Sequence, residues 1–224
     1  VLMLMGDVFQ YWYGPKHLQV DMYKSEIELL KSKTEAGLEI HLIPGNRDFL
    51  LDKSFAEATG VQVHGDSLAV QLQAATGELN GQLLHLSHGD LFATEDVNYQ
   101  RMRRVLRSRM VGLIARYLPR VFIHGIANRI RSHSQKSVPQ KPGSVLQPNL
   151  AEVQLLCDLG YSQVICGHFH QWQRHSMQGS HAPGIDNSFT VLDCFENTGF
   201  YLEYMEGRWY RGWCAKSERE ECDI

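Results

Sequence analysis

Four times along this chain of 224 residues, a short apolar run stops at a knot of glycine with Asp, Asn or His. The runs are Val1–Met5 before Gly6-Asp7, Leu38–Ile43 before Pro44-Gly45-Asn46-Arg47-Asp48, Leu83–Leu86 before Ser87-His88-Gly89-Asp90, and Ser162–Cys166 before Gly167-His168-Phe169-His170. Apolar runs of this length read as buried strands. In a layered α/β protein, ligands collect in the crevice beyond the carboxyl ends of the strands. Asp7, Asn46, His88, His168 and His170 are therefore expected to converge. A carboxylate, an amide and imidazoles together suit Mn²⁺, Fe²⁺ or Zn²⁺ better than Ca²⁺, which prefers an all-oxygen shell. Two such ions ~3.5–4 Å apart, bridged by a carboxylate, clamp a phosphoryl oxygen and activate water, so the chemistry implied is phosphoester hydrolysis. Singly, an Asp after Gly is an ordinary turn residue and a buried His an ordinary core residue. The ordered recurrence carries the argument.

The intervening segments complete an α/β alternation. Apolar positions among charges predict a helix over about residues 20–34 with Gly37 as its stop, and a short helix over Phe55–Thr59 closes at Gly60. Leu68–Leu72 and Leu83–Leu86 predict strands on either side of a hairpin around Gly77–Gly81. From Asn98 the period becomes helical. Met102, Val105, Leu106, Met110, Leu113, Tyr117 and Leu118 share one face, Pro119 breaks the run, and a second helix is expected over Val121–Ile130. Ser134–Pro148 reads as loop, Ala151–Cys157 as helix, and Thr190–Leu192, Gly199–Met205 and Arg208–Trp213 as antiparallel strands. Ser217–Ile224 is charged and expected to fray.

Charge is distributed unevenly. Between Val97 and Ala151 there is no Asp or Glu, while nine arginines, Lys136 and Lys141 supply half of the chain's 22 basic residues. Such a block points to an anionic partner. Its helices could either pack their apolar face on the core or offer it, with the arginines, to an acyl chain and an anionic bilayer. No apolar stretch approaches the ~20 residues needed to span a membrane. The five cysteines form no C-x-x-C pair, which argues against a disulfide framework or thiolate zinc site and for a reducing compartment. Val1 opens inside an apolar run, so the chain is expected to be N-terminally incomplete.

In order and spacing, Gly6-Asp7-Val8-Phe9, Gly45-Asn46-Arg47-Asp48, Ser87-His88-Gly89-Asp90 and Gly167-His168-Phe169-His170 resemble the successive blocks of calcineurin-like metallophosphoesterases, over nearly the whole chain. The resemblance implies a four-layer αββα sandwich over residues 1–224 as one domain, with a basic helical cap inserted at 97–148. It implies two divalent ions, Mn²⁺ ahead of Fe²⁺ or Zn²⁺, with Asp7 bridging them, Asn46, His88 and His168 completing one site and His170 serving the other. An Asp-x-His that the family carries ahead of these blocks is absent, so the first strand is expected to be missing. Asp48 and Asp90 would orient ligand imidazoles.

A closer likeness lies in Phe9–Gly14, in Asn-Arg-Asp at 46–48, and in His88–Gln100, which are similar to the UDP-2,3-diacylglucosamine hydrolases of lipid A synthesis. That likeness implies cleavage of the lipid nucleotide's pyrophosphate, with Asp7, Asn46, His88 and Arg47 catalytic. Substrate would be met by Asn46, Arg47, Asp96, Tyr99 and His168, and on the sugar phosphate and uridine side by Arg131, Ser134 and Lys141. It further implies a cytoplasmic protein, peripheral on the inner membrane, with no nucleic-acid or protein partner. Arg47 could instead pair with Asp48 at the surface. Gln10, Gln147-Pro148-Asn149 and Phe169-His170-Gln171-Trp172 depart from the family pattern. A hydrolase of soluble phosphoesters and a non-catalytic scaffold of the same fold are the competing readings.

Overall fold

The computed structural model describes residues 1–73, 81–117, 147–179, 187–214 and 218–222. The chain divides into two units, one of Val1–Asp66 with Thr94–Leu146 and one of Ser67–Ala93 with Gln147–Ile224.

In the first unit, strands β1 (Leu2–Leu4), β2 (Ile40–Leu42) and β3 (Gln62–Val63) run parallel in that order, in a register that sets Leu4 beside Leu42. Parallel neighbours need crossover connections. Helix α1 (Lys24–Glu35) supplies the first and α2 (Lys53–Thr59) the second. Gly37, at φ +92°, turns the chain at the end of α1 so that the Leu38 amide donates to the Lys33 carbonyl at 3.0 Å. Asp52 caps α2 by accepting from the Ser54 amide at 3.0 Å, and Gly60 closes it at φ +76°. The predicted helices and their stops are thus both present.

The core of this unit fixes the loop after β1. Phe9 and Trp12 are buried among Tyr23, Ile40, Leu42, Leu51, Phe55 and Val61. The Phe9 ring lies 5.0 Å from Trp12 and meets Phe55 edge-on at 5.6 Å. Burial of an aromatic side chain contributes roughly 1.5–3 kcal/mol. The aromatic run that follows Asp7 therefore anchors the loop bearing it.

The second unit holds a five-stranded sheet in the order β4 (Ser67–Gln71), β5 (Leu83–Ser87), β6 (Gln163–Cys166), β8 (Asn187–Val191), β7 (Gln173–Met177). The pairs β5/β6 and β6/β8 are parallel and the outer two antiparallel. Helix α5 (Leu150–Asp158), capped by Asn149, packs Val153 and Cys157 against Phe92, Val164, Cys166, Phe189 and Val191. Beyond a one-turn helix, α6 (Phe195–Thr198), a separate antiparallel sheet joins β9 (Phe200–Met205), β10 (Arg208–Trp213) and β11 (Glu218–Glu221).

Two expectations are corrected. The tail does not fray over 218–221, because β11 pairs with β10 and its charges find cross-strand partners: Arg208 with Glu221, Arg211 with Glu220, and Arg219 with Glu203. A strand made of charges shows no alternation of polarity from which to read it. The helical run from Asn98 also breaks well before Pro119, into α3 (Val97–Leu106) and α4 (Arg109–Tyr117). Ser108 restarts the helix, its hydroxyl accepting from the Val111 amide at 3.4 Å. Short strands β3 and β7 were not expected. The helix expected over Val121–Ile130, most of the loop after it and the tip of the β4–β5 hairpin lie outside the described residues. Among those described, no helix is long and apolar enough to cross a membrane.

Candidate active site

Adjacent parallel strands deliver their following loops side by side, and both units use this. In the first, the Ile43 amide donates to the Leu4 carbonyl at 2.9 Å, so the turns carrying Asp7 and Asn46–Asp48 emerge together. Asp48 clasps them. It is fully buried, and one carboxylate oxygen accepts from the Gly45 amide at 2.6 Å and the Asp7 amide at 3.3 Å. The other accepts from Val8 at 2.8 Å and Phe9 at 3.5 Å. These bonds give Asp48 the work of fixing backbone. Asp7 closes the arrangement by accepting from the Arg47 amide at 2.9 Å, and the Arg47 guanidinium approaches its other oxygen at 3.4 Å. Arg47 thus pairs with Asp7 rather than with Asp48. A Cβ on Gly45 would stand 2.2 Å from the Asp7 carboxylate, so only glycine permits this approach. Asn46 sits half-buried at the centre of the turn.

In the second unit, Ser87 on β5 lies opposite Cys166 on β6, and the Gly167 amide donates to the His88 carbonyl at 2.9 Å. Gly89, at φ +110°, lets the backbone pass close to Cys166. His88 is thereby brought to His168. Nε2 of His88 lies 3.2 Å from Nδ1 of His168, with the rings edge to face at 5.1 Å. His88 is buried, His168 half-buried and His170 exposed. Burial raises the neighbouring Cys166 thiol pKa well above its ordinary range, with the Asp90 charge adding to the effect, so this cysteine is an inert core group.

Backbone strain marks the same positions. Four non-glycine residues among those described have a left-handed φ: Asp7 (55°), His168 (68°), His170 (57°) and Glu206 (53°). Glu206 occupies the tight turn between β9 and β10. The other three are residues singled out as ligands, and strained conformations of this kind gather where a side chain must be aimed. The donor set also fits a divalent cation. Two imidazole nitrogens bound at about 2.0–2.1 Å to one tetrahedral ion stand roughly 3.3 Å apart, close to the separation of the His88 and His168 nitrogens. Among the described residues, no three His, Cys, Asp or Glu side chains crowd a single point. The structure gathers His88 with His168, and Asp7 with Arg47.

Of the residues expected at substrate, Asp96 caps α3, its carboxylate accepting from the Tyr99 amide at 3.2 Å, so the two are fixed relative to each other. Arg131, Ser134 and Lys141 lie outside the described residues. On α3 and α4 the apolar face is offered outward rather than packed on the core, while two of the arginines are drawn inward. Met102, Val105, Met110, Leu113, Ile114 and Tyr117 are exposed, whereas the side chains of Arg103 and Arg107 are only 10% and 16% exposed. Both arginines reach Asp66, Arg103 at 2.7 Å, and Arg107 also donates to the carbonyls of Pro44 and Gly45 at 3.0 and 2.9 Å. The clasp by Asp48 and the brace by Arg107 escaped sequence reasoning. Both are contacts across forty or more residues, without a local pattern. A pairing of the lone Asp66 with the acid-free basic block was the one available signal.

No family model matches the chain. Curated relatives do. It is 32% identical over 178 residues to a UDP-2,3-diacylglucosamine hydrolase of Pseudomonas syringae pv. tomato, an alignment covering 79% of this chain and 68% of the relative. A UDP-2,3-diacylglucosamine hydrolase of Pseudomonas putida KT2440 is 29% identical over 206 residues, 92% of this chain and 81% of that protein. One of Nitrosococcus oceani is 32% identical over 171 residues, covering 76% and 65%.

Proposed function

The chain belongs to the UDP-2,3-diacylglucosamine hydrolase family, and from that premise we propose that it cleaves the pyrophosphate of UDP-2,3-diacylglucosamine to UMP and 2,3-diacylglucosamine 1-phosphate. The observation that carries the reading is the coincidence of left-handed backbone at Asp7, His168 and His170 with the close pairing of His88 and His168. A histidine pair at two adjacent strand ends and a carboxylate held in a strained turn are what a phosphoryl-transfer site needs to place its donors.

Two divalent ions, Mn²⁺ first among the candidates, would be held by Asp7, Asn46, His88, His168 and His170, and when bound would supply Lewis acidity to the phosphoryl group and lower the pKa of water. The chain's own residues do the rest. Arg47, which lies against Asp7, would neutralise charge developing on the phosphate, its planar fork matching two oxygens at once. Asp96 and Tyr99 at the start of α3, with Arg131, Ser134 and Lys141, are assigned to the sugar and nucleotide. We further propose the four-layer αββα arrangement with residues 97–148 as its inserted cap. The exposed apolar side chains of α3 and α4 then take up acyl chains and rest the protein, peripherally, on an anionic cytoplasmic membrane face.

The experiment is release of UMP from UDP-2,3-diacylglucosamine in Mn²⁺, with and without chelator, for the protein as encoded and for His88→Ala. Release that chelation and the substitution both abolish is the expected result. Undiminished turnover by a folded His88→Ala protein sinks the site assignment, and activity confined to water-soluble phosphodiesters moves the substrate elsewhere.

A further inference from the structure

Arg107 belongs to none of the blocks that define the site, yet it is tied to one of them more closely than to its own helix. It follows α3 directly, where the chain leaves the helix before α4 begins. Its guanidinium grips Asp66, beyond the end of β3, and spends two further donors on the carbonyls of Pro44 and Gly45. Those carbonyls immediately precede Asn46 and Arg47. Arg103, one turn earlier on α3, donates to the same Asp66 oxygen at 2.7 Å. One carboxylate oxygen thus gathers two arginines, and one of these also reaches the turn that Asp48 clasps.

We infer that Arg107 is a positioning residue for the hydrolysis: it fixes the Pro44–Asp48 turn to α3, so that Asn46 and Arg47 are presented in one place. This rests on the function proposed above. The physical reason is the geometry of the guanidinium, whose planar fork meets a carboxylate from one nitrogen and two backbone carbonyls from another, where a lysine ammonium would have to serve all three from a single nitrogen. The side chain is only 16% exposed, so solvent competes weakly for these bonds. A turn held by both Asp48 and Arg107 leaves Arg47 little freedom except toward Asp7 and its ligand. Arg107 itself touches no reacting atom, and it acts through the turn.

The test combines hydrogen exchange with kinetics on the full chain. In Arg107→Ala, amides of the peptide spanning residues 43–48 should exchange faster while β5 and β6 keep their protection, and kcat should fall roughly 10–100-fold, the usual effect of losing a group that supports a site from behind. KM should change less than kcat. Combined with Arg47→Ala, the loss should be clearly smaller than the product of the two single losses, because the two act through one turn. Should Arg107→Ala fail to fold, Arg107→Lys and Asp66→Asn carry the same expectations at smaller size. Unchanged exchange across residues 43–48, or full additivity with Arg47→Ala, overturns the inference. A wild-type protein inactive on the lipid nucleotide refutes the proposed function instead, and the exchange measurement then decides by itself whether Arg107 positions the turn.

Discussion

Replacing Asp48 by Asn tests the core of the site description, because the shape is kept and only the acceptor capacity changes. The Asp48 carboxylate serves four backbone amides through two oxygens, Gly45 and Asp7 on one and Val8 and Phe9 on the other. An amide can serve only one of these pairs. Whichever way it is turned, its NH₂ group faces donors, and one short bond, to Gly45 at 2.6 Å or to Val8 at 2.8 Å, is lost. A hydrogen bond to a charged group is worth about 1.5–3 kcal/mol, and an orphaned buried donor costs about 1–3 kcal/mol more. The longer contacts, at 3.3 and 3.5 Å, add little. A loss of about 2.5–6 kcal/mol follows, which for a chain of this size lowers Tm by roughly 5–24 °C. Differential scanning calorimetry measures the shift, and activity at a temperature where the variant is folded reports displacement of Asp7. A Tm within about 2 °C of wild type, against an expected fall of roughly 5–24 °C, would show that Asp48 does not clasp the two turns.

Three further outcomes are expected. Gly45→Ala drives a methyl group into both the carboxylate and the backbone amide of Asp7, so the two turns must part; kcat should drop by at least about tenfold and Tm should fall with it, read by paired kinetics and thermal unfolding. Burial lowers the pKa of His85, and burial with the nearby His41 lowers that of His64. The unfolded chain, with histidines near 6.5, therefore takes up protons that the folded one resists, and stability should be level above about pH 7.5 and fall as pH drops below about 6.5. His85→Gln should flatten that fall in urea titrations at several pH values, and an unaltered slope would assign it elsewhere. Changing Met110 and Leu113 to Glu on the exposed face of α4 should weaken sedimentation with anionic liposomes by about tenfold or more, while far-UV circular dichroism stays as in wild type; liposome binding equal to wild type would show that this face does not meet lipid.

The sequence by itself determined where the strands end and which polar residues stand at those ends. Apolar runs ending in Gly45-Asn46, Ser87-His88 and Gly167-His168 identified largely buried strands and the loops that follow them, whereas the run ending in Gly6-Asp7 is a strand as expected but stays partly exposed, with Leu2 at the surface. Helix stops at Gly37 and Gly60 were legible too, being written in adjacent residues. Tertiary structure alone decided what holds those loops. Asp48 could be recognised as a carboxylate but not as an acceptor for the Asp7 turn some forty residues away, and Arg107 could be counted as charge but not as a brace on Gly45. It also decided which side of α3 and α4 faces outward, since an amphipathic period gives the direction of a face and not what lies against it. The charged strand at Glu218–Glu221 gave no sign of itself, because its stability comes from backbone pairing with β10 and from ion pairs that exist only once the strands meet. Local pattern encodes periodicity and chemistry, whereas register, orientation and long-range acceptors are settled only when distant segments pack.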